Sequence, residues 1–273
     1  MGIVFVGIVG IIPKDVITRL LGKEKSTISI FKATIAGVLL DLCSHGILLV
    51  AMKLYKRGVR LSQVVAFLVA SPWNSFSLTI ILIAFIGWKW TLAYIFLSMV
   101  VAFIAGLITE YFVSKNVLPE NPNTESLNDG SLDKKWTEIF SLRYLKDTVI
   151  ECEVLLRWVF LGVIAAGLIR TFVPTETFTH YFGPTILGMF LTLVAATIIE
   201  VCSEGSVPIA YDLFGRAIAP GNAFLFLMAG ASTDYTEIMA LKETTKSWKI
   251  ALFLPVVTLP QILFIAYILN HIH

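Results

Sequence analysis

The chain has 273 residues, of which 57% are hydrophobic and only 15% are charged. A soluble domain carries about 45–50% apolar and about 25% charged residues, so this chain has too few charges to coat a water-facing surface. Three cysteines cannot form the disulfide framework of a secreted module, and a net charge of +2 without a basic stripe argues against a nucleic-acid partner. The composition therefore indicates an integral membrane protein.

Long segments without Asp, Glu, Lys or Arg recur along the chain, and about 20 apolar residues can span a bilayer as a helix. Residues 1–12 have neither a basic leader nor a small-residue cleavage site, so we interpret them as a short first membrane helix rather than a signal peptide. The sequence predicts an all-α membrane protein with about eight spans: residues 1–12, 28–55, 61–87, 91–113, 154–173, 185–214, 221–241 and 250–270.

One polar segment, residues 114–153, separates these spans into two groups of four. It holds 13 of the 40 charges of the chain, and Pro119, Pro122 and Gly130 mark its first part as irregular loop. Its second part places apolar residues at helical spacing among charges, which fits either an interfacial amphipathic helix or a solvated linker helix. We therefore predict a first transmembrane repeat (residues 1–113), a polar spacer (114–153) and a second transmembrane repeat (154–273).

The two groups of spans resemble each other in sequence, which predicts an internal duplication. A shift of 159 residues aligns Asp41-Leu-Cys-Ser-His-Gly46 with Glu200-Val-Cys-Ser-Glu-Gly205, and nine of the 38 aligned positions that follow from Asp41 are identical. A second block, residues 13–22, matches residues 174–183 at a shift of 161. Internal repeats are the common plan of secondary transporters.

The relation between the repeats depends on the number of spans. Four spans in each half predict parallel repeats, whereas one span more or fewer would predict inverted ones. Two basic groups, residues 53–60 and residues 242–249, flank spans of the first and second repeat. We interpret these groups as marking opposite sides of the membrane.

Polar residues interrupt the second and third spans of each half at matching positions. Each interruption lies 13–15 residues from the turn between its two spans, which is about 20 Å along a helix and thus near the bilayer midplane. Broken backbone persists there only when it is buried in protein or lines a cavity, although small residues can also serve close helix packing. The predicted residues of these structural breaks are Gly46, Pro72, Gly205, Pro208 and Gly230.

Ionisable side chains cluster at the same places. They are Asp41, His45, Glu200, Glu204, Asp212 and Asp234. Charged groups inside a bilayer are costly and mark functional sites, and a carboxylate in a low-dielectric surrounding can hold a proton near neutral pH. Asp41, Glu200 and Glu204 are the predicted proton-coupling residues, with Asp234 as a further candidate. A structural hydrogen bond between helices is the alternative for Asp41 and Glu200.

Two cysteines, Cys43 and Cys202, occupy equivalent positions in the two halves. Thiolates select soft, thiophilic species, whereas cysteine as a small packing residue is the alternative. Three interpretations of His45 stay open: a packed histidine, a partner of Cys43 in binding a soft ligand, and a proton carrier. The sequence predicts a substrate site without metal or cofactor, formed by Cys43, Ser44, His45, Ser71, Asn74, Cys202, Ser203, Glu204, Thr233 and Asp234.

At these motifs the chain resembles the ArsP-like permeases, also known as the DUF318 or UPF0718 predicted permeases, over nearly its whole length. The resemblance rests on Cys43-Ser-x-Gly46, Arg57-Gly58, residues 67–74, Cys202-Ser203 with Pro208, and residues 226–230. It implies about eight membrane helices and export of trivalent organoarsenicals. His45 stands where the family often has a second cysteine, and Asp234 stands where a neutral residue is usual. Selenium- or sulfur-containing substrates therefore stay open.

Transporter, channel and intramembrane enzyme are the three functional classes to separate. The chain has no potassium-filter loop, no His-Glu-x-x-His, no Gly-x-Ser-x-Gly and no Walker motif. We predict a multi-pass plasma-membrane permease, not an enzyme, that exports a small thiophilic or metalloid-containing compound. Its expected partners are that small-molecule substrate and the lipid bilayer. The alternative is a channel, or a membrane subunit of a larger complex, for a selenium- or sulfur-containing solute.

Overall fold

A computed structural model describes residues 26–39, 44–71, 76–122, 181–199 and 203–272. Within these ranges the chain is all-helical, with ten helices and no strands, which confirms the predicted all-α class. The spans predicted at residues 1–12 and 154–173, and most of the spacer, lie outside the described residues. The helices are α1 (Thr27–Leu39), α2 (Ser44–Lys56), α3 (Leu61–Ala70), α4 (Phe76–Ile86), α5 (Trp88–Ser114), α6 (Ile186–Ile199), α7 (Ser203–Gly215), α8 (Pro220–Thr233), α9 (Tyr235–Thr245) and α10 (Trp248–Ile272).

The five helices before the spacer recur in the same order after it. The first residues of α6, α7, α8 and α9 lie 159 positions after those of α1, α2, α3 and α4, and α10 begins 160 positions after α5. Four shorter helices are followed by one long helix in each half. The sequence shift found above therefore also relates the helix boundaries.

Among the described helices, α5 and α10 are long and apolar enough to cross a membrane. The inward face of α5 carries small and polar residues such as Ser98, Ala102 and Thr109. Large apolar side chains face outward instead, and Phe96 of α5 and Phe264 of α10 are 65% and 66% exposed. Small residues between helices and large apolar residues outside are typical of helices that face lipid.

The two long helices run in opposite directions. Phe112, near the end of α5, packs edge-to-face against Phe253, near the start of α10, with ring centroids 5.3 Å apart. The hydroxyl of Tyr94, near the start of α5, donates to the carbonyl of Pro220 (2.7 Å). The next backbone N–H, that of Gly221, donates to Asn270 near the end of α10 (2.7 Å). The expected parallel relation is therefore wrong, because equivalent helices of parallel repeats run in the same direction.

Antiparallel halves also bring the two basic groups to the same end. Arg60, just before α3, forms an ion pair of 2.7 Å with Glu110 near the end of α5. The ammonium group of Lys242 lies 5.3 Å from the ring centroid of Trp248, which begins α10. The residues of this basic end are Lys53, Lys56, Arg57, Arg60, Lys115, Lys242, Lys246 and Lys249. The expectation that these groups mark opposite sides is wrong, because the end of α5 lies beside the start of α10.

Helices α1 and α2 form a hairpin that enters from the basic end. A Cβ added at Gly106 of α5 would lie 2.5 Å from Ile30, and one added at Gly37 would lie 2.5 Å from the carbonyl oxygen of Phe67. Helix α1 therefore runs inward beside α3. Helix α2 runs back outward. Asn121, after α5, donates to the carbonyl of Tyr55 in the last turn of α2 (2.6 Å) and to that of Val59 in the turn that follows (2.8 Å).

Helices α6 and α7 form the corresponding hairpin from the opposite end, which we define by Trp88, Lys89, Arg216, Pro220 and Asn270. Asn222, in the first turn of α8, donates to the carbonyls of Phe182 and Gly183 just before α6, at 2.8 and 2.9 Å. Helix α6 then runs inward beside α8. Helix α7 runs back outward and ends at the short turn that leads into α8.

Candidate functional site

Eight helix ends adjoin the four interruptions of the chain. The two halves pack against each other through these interrupted helices, since α4 packs against α7 and α9 packs against α2. Phe85 of α4 and Tyr211 of α7, with ring centroids 5.1 Å apart, lie toward the outer ends of two helices that run in the same direction. The central helix ends are the four C-terminal residues Leu39, Ala70, Ile199 and Thr233 and the four N-terminal residues Ser44, Phe76, Ser203 and Tyr235.

Each central helix end lacks part of its intrahelical hydrogen bonding. The first four N–H groups and the last four C=O groups of a helix have no partner within that helix. The N-terminal ends also carry a partial positive charge and the C-terminal ends a partial negative charge. Transporters with interrupted helices use such ends to bind anionic solutes and cations near the bilayer midplane.

Every predicted interruption coincides with a boundary between two of these helices. Residues 40–43 separate α1 from α2, residues 71–75 separate α3 from α4, residues 200–202 separate α6 from α7, and Asp234 separates α8 from α9. Six of the predicted functional residues lie outside the described residues: Asp41, Cys43, Pro72, Asn74, Glu200 and Cys202. Four others form the first turns of two helices: Ser44 and His45 in α2, and Ser203 and Glu204 in α7.

Four residues predicted to break helices lie within them instead. Gly46 and Gly205 are the third residues of α2 and α7, Pro208 is the sixth residue of α7, and Gly230 lies three residues before the end of α8. A proline early in a helix removes one backbone donor, here the one that the carbonyl of Glu204 would accept, while the helix continues. A Cβ added at Gly230 would lie 4.0 Å from the carbonyl oxygen of Ala196, so this glycine sits at a contact between α8 and α6.

The hydroxyl groups of Ser71 and Thr233 are engaged with their own helices. Ser71 is buried and donates to the carbonyl of Leu68 (2.6 Å), which closes the C-terminal turn of α3. Thr233 donates to the carbonyl of Ala229 (2.8 Å) and lies 3.1 Å from the hydroxyl of Thr197 in α6. These hydroxyls therefore fasten the central ends of α3, α6 and α8, and each keeps oxygen lone pairs that can accept a further hydrogen bond.

Two carboxylates lie where α8 passes into α9. Asp234 is the single residue between these helices, and its backbone carbonyl accepts a hydrogen bond from the N–H of Ile238 in α9 (3.1 Å). Glu237 follows in the first turn of α9, is only 4% exposed, and has Asp234 as a like charge nearby. A buried carboxylate beside a like charge is costly while it is ionised. Glu237 is therefore a candidate for holding a proton.

Sequence reasoning missed Glu237 and Thr197. The repeat alignment pairs Glu237 with the apolar Leu78. A carboxylate that replaces an apolar residue at an equivalent position could have indicated a functional role for Glu237. Thr197 lies in a continuous apolar segment, and only its hydrogen bond to Thr233 shows that it belongs to the centre. Among the described residues, no group of three or more His, Cys, Asp or Glu side chains is placed to hold a metal ion.

Two polar clamps fix the outer ends of the interrupted helices. In the first-half clamp, Glu110 of α5 accepts a hydrogen bond of 2.7 Å from Arg60, just before α3. In the second-half clamp, Asn270 of α10 accepts a hydrogen bond of 2.7 Å from the N–H of Gly221 in α8. Glu110 and Asn270 are 160 positions apart, as are the starts of α5 and α10. Because the clamps fix where α3 and α8 begin, they also position the central ends of these helices.

The outward apolar faces of the long helices, together with the interrupted helices between them, are those of a helical membrane protein. The chain belongs to the predicted permease family ArsP_1, whose match covers residues 1–271. It is 26% identical over 252 residues to the UPF0718 protein YcgR of Bacillus subtilis, a match that covers 90% of this chain and 83% of that protein.

More distant relatives cover most of the chain as well. A Mycobacterium tuberculosis protein that carries the name of a permease is 23% identical over 243 residues, which cover 80% of this chain and 60% of that protein. The UPF0718 protein MJ0584 of Methanocaldococcus jannaschii is 22% identical over 311 aligned positions, which cover 93% of this chain and 85% of that protein. No solved structure matches the chain. The family membership confirms the resemblance found in the sequence and makes the chain a membrane permease.

Proposed function

We propose that the protein is a multi-pass permease of the plasma membrane, built from two inverted repeats, that carries a small solute through the group of central helix ends. The observation that carries this proposal is that interrupted helices of two oppositely directed halves pack against each other, α4 against α7 and α9 against α2. Inverted repeats with a central site are the common architecture of alternating-access transporters. One half can then rock against the other and expose the same site to each side in turn.

The substrate class follows from the two equivalent cysteines. In the sequence, Cys43 and Cys202 directly precede the first residues of α2 and α7. A helix N-terminus favours the thiolate form, and thiolates bind soft, thiophilic species. We propose export of a small thiophilic or metalloid-containing compound, of which a trivalent organoarsenical is the type to test first.

Growth protection tests the substrate class. A sensitive host that expresses the protein is grown on a panel of methylated arsenicals, selenium compounds and thiol-reactive metals. Protection against trivalent methylated arsenicals is expected, and it should be lost in Cys43→Ser and Cys202→Ser. Cys152→Ser is the matched control, because Cys152 lies in the spacer outside the repeat, and this variant should protect as the wild type does. Protection that survives both central substitutions would contradict a role of the thiols.

Flux into proteoliposomes separates a carrier from a channel. With methylarsenite as the solute, a carrier shows a saturating rate that follows an imposed pH gradient, whereas a channel shows a rate proportional to concentration.

Asp41, Glu200 and Glu204 are the proposed proton-coupling residues, and Glu237 joins them because it is buried at the centre. Replacing the proton-coupling residue by the corresponding amide, Asp by Asn or Glu by Gln, should leave flux intact. The rate of that flux should then no longer depend on the pH gradient. If all four amide variants keep the wild-type dependence, protons are not coupled through these residues.

A further inference from the structure

The charges of the described residues are distributed unequally between the two ends of the molecule. Eight of the eleven described Lys and Arg residues form the basic end, and only Lys89 and Arg216 lie at the opposite end. The remaining one, Lys32, is on α1, which enters from the basic end. This asymmetry is invisible along the chain, since the basic residues come from both halves. It arises only because the halves are antiparallel.

Two identical dipeptides mark the levels of the two membrane surfaces. Trp88-Lys89 begins α5 and Trp248-Lys249 begins α10, and the tryptophans are 60% and 53% exposed. Tryptophan is enriched where a membrane meets water, and lysine extends its ammonium group to the same level. A helix of 27 residues such as α5 is about 40 Å long, which matches a bilayer with its headgroup regions. The two dipeptides therefore stand at opposite membrane surfaces.

Basic residues in short segments next to membrane helices favour the cytoplasmic side. The cytoplasmic leaflet carries anionic lipids, which attract Lys and Arg side chains near the helix ends. The basic end meets both conditions, because its residues lie in the last turns of α2 and α9, in the turn before α3, and beside the ends of α5 and α10. Three acidic residues, Glu110, Glu120 and Glu243, are near the same end and leave its charge positive.

We infer that the basic end lies against the anionic headgroups of the cytoplasmic leaflet. The hairpin of α1 and α2 then enters the membrane from the cytoplasm, and the hairpin of α6 and α7 enters from outside. This inference rests on the proposed membrane function.

Labelling of the two lysines that follow the tryptophans tests the orientation. Lys89→Cys and Lys249→Cys are matched, because both residues are exposed in the first turn of equivalent helices. Both are made in a background in which Cys43, Cys152 and Cys202 are serine. A membrane-impermeant maleimide is applied to intact cells and to permeabilised cells. We expect Lys89→Cys to be labelled in intact cells, and Lys249→Cys to be labelled only after permeabilisation, with at least a tenfold difference between them.

The reverse pattern, or equal labelling of both variants in intact cells, would overturn the inferred orientation. Ile218→Cys and Lys246→Cys provide a second matched pair in exposed turns at the two ends, in case one of the first variants does not accumulate. Recovery of the protein in the soluble fraction would instead contradict the proposed membrane function. The two failures are distinguishable, because orientation is measured only on protein found in the membrane fraction.

Discussion

The two halves of the molecule share a helix order but hold it together with different chemistry. The first-half clamp is ionic, since Arg60 and Ser62 both donate to Glu110 at 2.7 Å. The second-half clamp is neutral, because amide and backbone groups meet at Asn270. At the second interruption of each half the contrast is reversed: the second half has the carboxylates Asp234 and Glu237, where the aligned positions of the first half are Ser75 and Leu78. The two halves therefore keep the same order of helices although their charged side chains lie at different ends of those helices.

The crossing between the interrupted helix and the long helix provides the largest expected effect. A Cβ added at Gly221 of α8 would run into the backbone carbonyl of Ala266 in α10 and lie 2.6 Å from the Asn270 side chain. Gly221→Ala should lower the free energy of unfolding by about 3 kcal/mol, because a backbone contact cannot relax as a flexible side chain can. Equilibrium unfolding of the detergent-solubilised protein measures this. Gly215→Ala is the control, since nothing lies within 4 Å of its added Cβ. Equal stability of the two variants would show that this crossing is looser than described.

Replacing the carboxylate of the first-half clamp comes next in size. Glu110→Ala should lower the free energy of unfolding by about 2 kcal/mol, because hydrogen bonds to charged groups contribute about 1.5–3 kcal/mol and Arg60 would lose its partner. Asn270→Ala, the equivalent change in the second half, should lower it by about 1 kcal/mol. Raising the salt concentration should reduce the first effect and leave the second unchanged, because salt screens only the ionic clamp. The same salt response in both variants would contradict the contrast between the clamps.

One hydrogen bond between the halves allows a smaller test. Tyr94 is buried, donates to the carbonyl of Pro220, and its ring packs against Phe224 with centroids 5.5 Å apart. Tyr94→Phe keeps the ring and should lower the free energy of unfolding by about 1 kcal/mol. The residue of α10 that aligns with Tyr94 is Leu254, which has no hydroxyl, so α10 cannot donate the equivalent hydrogen bond to the first half. Tyr111→Phe, on the exposed face of the same helix, should change stability by less than about 0.5 kcal/mol and serves as the control.

The central carboxylate should show the smallest effect on stability. Glu237→Gln removes a buried group that has a like charge beside it, so the free energy of unfolding should stay within about 0.5 kcal/mol of the wild type or rise. Glu243→Gln, at an exposed position of the same helix, is the matched control and should also leave stability unchanged. The two variants should differ in transport, where only Glu237→Gln is expected to alter the rate. A loss of stability above about 1 kcal/mol in Glu237→Gln would identify a structural role for this carboxylate.

Much of the local structure was predictable from the sequence. Within the described residues, the apolar segments, the four interruptions and the shift of 159 residues reappear in the helix boundaries. Each of these is a property of neighbouring residues along the chain, because hydropathy decides which segments become apolar helices and small or polar residues decide where those helices end. The family was recognisable for the same reason, since its motifs are local.

Tertiary structure alone decided the direction of the halves and the roles of individual side chains. Two basic groups that are far apart in the sequence lie at one end, because α5 and α10 are antiparallel. Pro208 and Gly230 lie inside helices, because the contacts of α7 and α8 outweigh the loss of one donor or one side chain. Glu237 is buried although its helix is polar, since α2 and α10 both pack on α9. Hydropathy determines which segments enter a membrane, but the partners that each helix end meets depend on how distant segments pack.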